Sequence, residues 1–241
     1  MKTFVVCLMA GLLVAMGCSK SADNNTNNDG SGSTALHEDG YGPSGKPFSA
    51  PAWSLPAGVE LVDSIHEYSY CWAYPPYTQV DKKDWKGVPT GFPFCLTLTN
   101  KTPGVITIQF PPELVFTSTS NLHQNVLSID IGTVLLNAGS TITIVTQGFC
   151  INEGRMIPQA YDAVTQQALT YSFGPSQVPA GLKEITDIVH SKHLGMSDIL
   201  NADGTVNVDK TNKYSAIQAA IWEVTDDNGL TKNMKALIEG L

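Results

Sequence analysis

The residues of this chain whose side chains could do the most chemistry are its cysteines. The chain has 241 residues, and five of them are cysteines. Cys7 and Cys18 lie at the N-terminus, and Cys71, Cys95 and Cys150 lie in the remainder. In an exported protein disulfides form and persist, and one disulfide among three cysteines leaves one thiol over. The sequence leaves open which of the three pair. The remaining thiol is either an inert buried side chain or a group with chemistry of its own.

The N-terminal residues have the pattern of a secretory signal. Lys2 precedes an apolar stretch at residues 8–17, which is shorter than the about 20 residues that a transmembrane helix needs. Residues 15–18, Ala-Met-Gly-Cys, resemble the bacterial lipobox. The resemblance implies removal of residues 1–17 as the signal peptide and attachment of diacylglycerol to Cys18. The mature protein is then anchored by lipid in the bacterial envelope, with the outer membrane or the cell surface as the expected location.

A polar segment follows the predicted lipidation site. Residues 19–34 are rich in Ser, Asn, Asp and Gly and have almost nothing to bury, so they are expected to remain disordered. Residues 18–50 are therefore predicted to be a lipidated, disordered tether. The folded region is expected to begin near Pro51 and to occupy residues 51–241.

The charge of the chain excludes some partners. The formal net charge is -8, whereas nucleic-acid phosphates require clustered Lys and Arg. Nucleic acid is therefore not an expected partner, and electrostatic attachment to an anionic membrane surface is not expected either. Apolar residues make up 42% of the chain, which is enough to build a core.

From residue 51 to about residue 150 the pattern indicates strands. Residues 105–110, 127–131 and 141–146 alternate apolar with other side chains, and turn-forming residues at 100–104 and 137–140 separate such runs. The fold is therefore predicted to be mainly β, as an antiparallel β-sandwich of immunoglobulin-like or similar type. Residues 110–116 contain two prolines and are expected to form a kinked crossover at a sheet edge.

After residue 150 the period becomes helical, and two or three short helices are expected to pack on the sandwich. The positions at helical spacing are Leu182, Ile185, Ile188 and Val189 in one run and Ile217, Ile221 and Val224 in the next. A third helix is predicted at residues 232–239, with Thr231 as its N-cap. Its inward residues are predicted to be Met234, Leu237 and Ile238.

One helical run carries a family resemblance. Residues 214–226 read Tyr-Ser-Ala-Ile-Gln-Ala-Ala-Ile-Trp-Glu-Val-Thr-Asp. They resemble the signature of the thioester domains of Gram-positive surface adhesins, Thr-Gln-x-Ala-Ile-Trp followed by Thr-Asp, with Ile217 in place of the threonine. The matching positions are Gln218, Ala220, Ile221 and Trp222. The family also has an aromatic-Cys-apolar motif before its helical part, which residues 149–151 resemble, with Asn152 and Pro158 just after.

The resemblance implies a thioester-domain-like fold for residues 51–241, as the alternative to an immunoglobulin-like sandwich. It also implies an internal thioester, in which the Cys150 sulfur and the Gln218 side-chain carbonyl join with loss of ammonia. Such an activated acyl group can be taken by a lysine amine of a partner, which forms a lasting covalent link. Phe149 and Trp222 are the aromatic neighbours expected to exclude water, because hydrolysis would otherwise destroy the bond. Cys71, which also stands between an aromatic and an apolar residue, remains an alternative to Cys150.

Two functions are therefore open. The first is a lipid-anchored surface protein that attaches to a protein or glycan on a host or neighbouring cell, with Cys150 as acyl carrier and Gln218 as acyl donor. The alternative is a non-covalent binding or structural lipoprotein of the envelope, with one disulfide among Cys71, Cys95 and Cys150 and the third cysteine buried. Neither function requires a cofactor.

Other chemistry has little support in the sequence. His190 and His193 share a predicted helix, but no third ligand is evident, so no metal site is predicted. Residues 199–210 lack the first and last carboxylates of a calcium loop, so a turn is expected around residues 201–207. No nucleophile elbow, phosphate loop or paired-carboxylate motif is present in the sequence, so no catalytic residues are named and an enzyme is not expected.

Overall fold

The computed structural model describes residues 38–73, 80–227 and 229–241. The predicted signal peptide, the predicted lipidation at Cys18 and most of the predicted tether lie outside these residues. None of the helices in this described part combines the length and the apolar character that a bilayer crossing requires.

Antiparallel strands form the body of the fold. In the described part of the chain they are β1 (Val59–Leu61), β2 (Ile65–Glu67), β3 (Phe92–Asn100), β4 (Ile106–Gln109), β5 (Glu113–Ser118), β6 (Val126–Ile129), β7 (Thr133–Leu136), β8 (Thr141–Cys150) and β9 (Thr170–Phe173). The long strands β3 and β8 pair along most of their lengths. The predicted alternating runs correspond to β4, β6 and β8, which confirms those strands.

The main sheet closes on itself. Its order is β3-β2-β9-β5-β6-β8, and β8 pairs back to β3, so six strands of the described chain form a closed wall. Strand β1 pairs with β3 beyond the end of β2, and β4 with β7 form a separate two-stranded sheet. The predicted mainly antiparallel β-fold with short helices is confirmed, but a closed barrel replaces the predicted sandwich. Alternation predicts which side chains face inward, whereas it does not predict whether the last strand returns to the first.

The helices of the described chain are α1 (Tyr68–Ala73), α2 (Ala180–Ser191), α3 (Met196–Ile199), α4 (Val208–Tyr214), α5 (Ala216–Thr225) and α6 (Lys232–Glu239). Helices α2, α5 and α6 confirm the three helical runs predicted from spacing. The predicted N-cap is confirmed too, because the Thr231 hydroxyl accepts the Met234 N–H at 3.2 Å. Of the residues predicted to face inward on α6, Ile238 is buried but Leu237 is 58% exposed.

The barrel wall separates two apolar cores. The barrel interior contains residues such as Leu114, Phe116 and Val126. The outer core lies between the outside of β5, β6 and β8 and helices α2, α5 and α6, and includes Val115 and Leu127. Because successive side chains of a strand point to opposite faces, these strands are buried on both faces. The outer core therefore fixes the helices against the same strands that close the barrel.

The prediction of a crossover at residues 110–116 is wrong for its second half. Residues Glu113–Ser118 form β5, which pairs with β6 on one side and with β9 on the other. The two prolines lie just before β5, so their missing N–H groups cost the strand no ladder hydrogen bond.

Residues 38–50 pack on the barrel, although the sequence assigns them to the tether. Tyr41 is 3% exposed and belongs to the outer core. Its ring makes an edge contact with Phe48 at a centroid distance of 5.0 Å. The folded region therefore extends N-terminally to at least residue 38 rather than beginning near Pro51. Tyr41 and Phe48 are thus apolar contacts of a segment whose composition is otherwise mostly polar.

A buried amide holds this N-terminal segment. The Asn152 side chain is fully buried, and its Nδ2 donates to the backbone carbonyls of Gly40 at 3.1 Å and Gly42 at 2.9 Å. Its Oδ1 accepts the Asn125 N–H at 2.9 Å. The turn after β8 is thereby joined both to the barrel and to residues 38–50.

Asn152→Ala is expected to lower the free energy of unfolding by about 2–4 kcal/mol, because it leaves buried backbone groups without partners. Guanidinium denaturation measures this loss. The control is Asn212→Ala, which changes an exposed residue of α4 and is expected to shift stability by less than about 0.5 kcal/mol. Equal midpoints for the two variants would contradict the role given to Asn152.

Candidate functional site

Helix α5 docks against β8 through its apolar face. Its buried residues are Ile217, Ala220, Ile221, Val224 and Thr225. Ile217, which stands where the adhesin signature has threonine, is fully buried in the outer core. Gln218 is the next residue, about 100° further round the helix. It is therefore placed at the border of the buried face, beside the end of β8.

The end of β8 extends beyond its neighbour β3. The β3–β8 pairing ends at Phe92 and Gly148, whereas Cys150 still pairs with Val126 of β6. On the β6 side the Ile151 N–H donates to the Asn125 carbonyl at 3.1 Å. Because backbone groups of successive residues point to opposite sides of a strand, the N–H and C=O of Cys150 point to the side that β3 has left.

The Gln218 side chain fills that vacant position. The Cys150 N–H donates to Gln218 Oε1 at 2.8 Å, and Gln218 Nε2 donates to the Cys150 carbonyl at 2.8 Å. A backbone N–H can only donate and a carbonyl can only accept, so the orientation of the carboxamide is determined by its partners. The structure thus brings together the two residues that the sequence singled out for a thioester.

The other end of α5 is held near the same turn. Asp226 Oδ1 accepts the Glu153 N–H at 3.1 Å, and its Oδ2 accepts the Thr225 hydroxyl at 2.5 Å. These are the Thr and Asp that follow the glutamine in the adhesin-like motif. The motif therefore contacts the chain both at Cys150 and three residues later, which fixes α5 along the end of β8.

The cysteines separate into two groups. Cys71 of α1 and Cys95 of β3 form a disulfide with a Cα–Cα distance of 6.4 Å, in a small apolar cluster with Val145. Cys150 is fully buried and lies outside that disulfide. The disulfide occupies the Cys71 sulfur, so the alternative pairing of Gln218 with Cys71 does not fit the structure.

The Cys150 side chain faces the barrel interior. Directly paired residues of an antiparallel sheet share a face, and its partner Val126 belongs to the interior core. Polar side chains of three other strands face the interior at the same end: Glu67 opposite Phe94, and Ser118 and Tyr171 opposite each other. We call Glu67, Ser118, Cys150 and Tyr171 the barrel mouth. Sequence reasoning missed all but Cys150, because strand pairing alone brings them together.

The two predicted shielding residues lie on the helix side of the wall. Phe149 is fully buried in the outer core. Trp222 is one helical turn beyond Gln218 on α5 and is partly buried, and its Nε1 has no hydrogen-bond partner among the described residues. Phe149 therefore points to the helix side of the wall, whereas the Cys150 side chain faces the barrel interior.

The histidines of the helical part are placed differently. His190 Nδ1 lies 2.6 Å from Asp130 Oδ1, and the rings of His190 and His193 are 6.0 Å apart. Within residues 38–73, 80–227 and 229–241 no group of three metal-ligating side chains converges. The predicted turn near residue 203 is confirmed, since Asp203 accepts the Thr205 N–H at 2.9 Å.

Comparisons with known proteins add no relative to this description: no protein family, curated protein or solved structure matches the chain. The geometry of the chain's own residues therefore carries the functional argument. The main element of this geometry is the pair of hydrogen bonds between the Gln218 carboxamide and the Cys150 backbone.

Gln218→Glu tests the paired hydrogen bonds. It replaces the Nε2 donor by an oxygen opposite the Cys150 carbonyl, and the expected loss of stability at neutral pH is about 2–3 kcal/mol. A protonated carboxyl can donate again, so the loss relative to wild type should shrink as the pH falls and grow as it rises. Guanidinium denaturation at neutral and mildly acidic pH measures both effects.

The matched control is Gln167→Glu, which makes the same charge change at an exposed position between Tyr161 and Ala168. It is expected to leave the denaturation midpoint close to that of wild type at both pH values. Parallel behaviour of the two variants would show that the Gln218 contacts do not contribute to stability.

Proposed function

We propose that this chain is a lipid-anchored cell-surface protein that captures a partner covalently through an internal thioester between Cys150 and Gln218. The partner is a surface molecule of a host or neighbouring cell that presents a primary amine, such as a lysine side chain. The observation that carries the proposal is the pair of 2.8 Å hydrogen bonds between the Gln218 carboxamide and the Cys150 backbone.

These hydrogen bonds favour reaction at the Gln218 carbonyl carbon. Negative charge develops on Oε1 when a nucleophile adds to Cδ, and the Cys150 N–H already donates to that oxygen. A preorganised donor in a site without water stabilises such an oxyanion by several kcal/mol. The Cys150 carbonyl holds the NH₂ group that must leave.

Thioester formation and capture of the partner each form one bond to Gln218 Cδ and break another. The Cys150 sulfur adds to Gln218 Cδ, the carbon–nitrogen bond breaks, and the thiol proton leaves with the amide nitrogen as ammonia. A partner amine then adds to the same carbon and the carbon–sulfur bond breaks. The products are an amide between the partner and the Gln218 side chain and a restored Cys150 thiol.

Burial supports the lifetime that such a bond requires. Cys150 and Phe149 are fully buried, and Trp222, one turn beyond Gln218 on α5, is partly buried. Because water is the competing nucleophile, a dry site lets an amine held by a docked partner react first.

The proposed location rests on the sequence before the described residues. The signal-like segment and the lipobox-like residues 15–18 favour export and a lipid at Cys18. The disulfide between Cys71 and Cys95 fits the same compartment, because disulfides persist in oxidising surroundings.

A second candidate is a non-covalent binding or structural protein of the envelope. The observation that favours it is that the Gln218 carboxamide accepts from the Cys150 N–H and donates to the Cys150 carbonyl without any covalent bond. In that case the glutamine completes the end of the strand and the cysteine is an inert core residue.

Intact-mass spectrometry of the folded full chain distinguishes the two candidates. With the thioester, the mass is lower than the sequence predicts by two hydrogens for the disulfide and by one ammonia. Methylamine should then add to the chain and release one thiol. Cys150→Ala and Gln218→Ala should each abolish both the loss of ammonia and the methylamine uptake.

A matched variant is Cys71→Ser with Cys95→Ser, which removes the disulfide and should keep the loss of ammonia. A wild-type mass lower by two hydrogens only, with no methylamine uptake, would refute the covalent proposal and favour the second candidate.

A further inference from the structure

The barrel mouth contains the buried hydroxyl of Tyr171. Tyr171 is 2% exposed, and its Oη has no hydrogen-bond partner among the described residues. Ser118, opposite it on β5, is near enough to lower the pKa of the Tyr171 hydroxyl slightly, but it makes no hydrogen bond of regular geometry. Burying a hydroxyl in this way is unfavourable, so an unpaired one calls for an explanation.

Tyr171 and Cys150 are electrostatic neighbours. Burial raises the pKa of the Tyr171 hydroxyl far above its ordinary value, and charge on Cys150 raises it further. The phenol therefore remains protonated, as a donor, across the physiological pH range. A thiolate is a hydrogen-bond acceptor, so the sulfur of Cys150 matches the donor that Tyr171 offers.

Glu67 provides a base at the same end. Its Oε2 accepts hydrogen bonds from the backbone N–H of Ser69, at 2.9 Å, and from the Ser69 hydroxyl. Burial raises the pKa of the Glu67 carboxyl, and these hydrogen bonds only partly offset the effect. A carboxylate with a raised pKa binds a proton more readily than an exposed one, which suits it to accept a proton during a reaction.

We propose that Tyr171 and Glu67 assist acyl transfer at Cys150, an inference that rests on the proposed thioester. When the partner amine adds to Gln218 Cδ and the carbon–sulfur bond breaks, the Tyr171 hydroxyl donates a hydrogen bond to the departing sulfur. Glu67 accepts the proton that the amine nitrogen loses and transfers it to the sulfur. An amide and a thiol result, and both side chains return to their starting forms.

Other titratable groups also lie near this end. His66 faces outward on β2, opposite Cys95. Others lie on α1, in the loops at this end or at the end of α5, among them Tyr68, Tyr70, His123, Glu153, Arg155, Tyr161, Asp162 and Asp226. A pH effect that disappears with Glu67 alone can therefore be assigned to the mouth.

The first test follows the Cys150 thiol. After methylamine treatment Cys150 is a thiol whether or not a thioester was present, and the Cβ chemical shift of labelled cysteine reports its ionisation by NMR. Without the Tyr171 donor the thiolate is less stable, so Tyr171→Phe should move the titration to higher pH by about one unit or more. Tyr161→Phe, at a tyrosine outside the mouth that is 37% exposed, should leave it unchanged.

The second test follows methylamine capture by protein that contains the thioester. Tyr171→Phe and Glu67→Gln should each slow capture by about tenfold or more, with the thioester content measured by intact mass. Expressed per concentration of unprotonated methylamine, the wild-type rate should rise with pH as Glu67 loses its proton, and Glu67→Gln should remove that rise. Tyr161→Phe should capture at the wild-type rate.

The outcomes separate the two proposals. A wild-type chain without the loss of ammonia refutes the proposed function. In that case the thiol titration still shows whether the Tyr171 hydroxyl donates a hydrogen bond to the Cys150 sulfur. If the thioester forms but both variants capture methylamine at the wild-type rate and titrate as wild type does, the roles of Tyr171 and Glu67 are overturned while the thioester stands.

Discussion

The backbone of Cys150 is the point on which the site depends. Strand β8 closes the barrel by pairing with β3 and then continues past it, so one N–H and one C=O remain without a strand partner at a fully buried residue. Leaving each unsatisfied would cost about 1–3 kcal/mol. The Gln218 carboxamide satisfies both, and it can do so only if α5 lies along the end of β8. The register of the barrel thus determines the position of the helix.

The same contacts fit both a structural role and the proposed reactivity, which is why two functions fit the site. Completing the end of β8 requires the Gln218 carboxamide, but it does not require any particular side chain at position 150. A sulfur at the same end of the barrel as a carboxylate of raised pKa and a tyrosine hydroxyl that has no hydrogen-bond partner among the described residues is more than the structural role needs. Buried polar groups without partners are costly, and they concentrate where chemistry uses them. These additional polar groups favour the proposed covalent function over the structural one.

The turn after Cys150 connects three parts of the chain. Asn152 holds residues 38–50, Glu153 is bound by Asp226 at the end of α5, and Ile151 continues the pairing with β6. Most of these contacts join a side-chain amide or carboxylate to a backbone group. Such pairs have little signature in composition, and this explains why the polar segment at residues 38–50 resembles a tether in the sequence.

Local patterns in the sequence determined the helices α2, α5 and α6, the Thr231 cap, several strands and the candidate pair Cys150 and Gln218, because periodicity, capping and short motifs involve neighbouring residues. Tertiary structure alone decided the rest. Three cysteines share the same aromatic-Cys-apolar pattern, and only the fold pairs Cys71 with Cys95 and places Gln218 on Cys150. Barrel closure and the mouth residues Glu67 and Tyr171 also depend on pairings between distant strands. Register sets which distant residues face each other, and no local pattern encodes it.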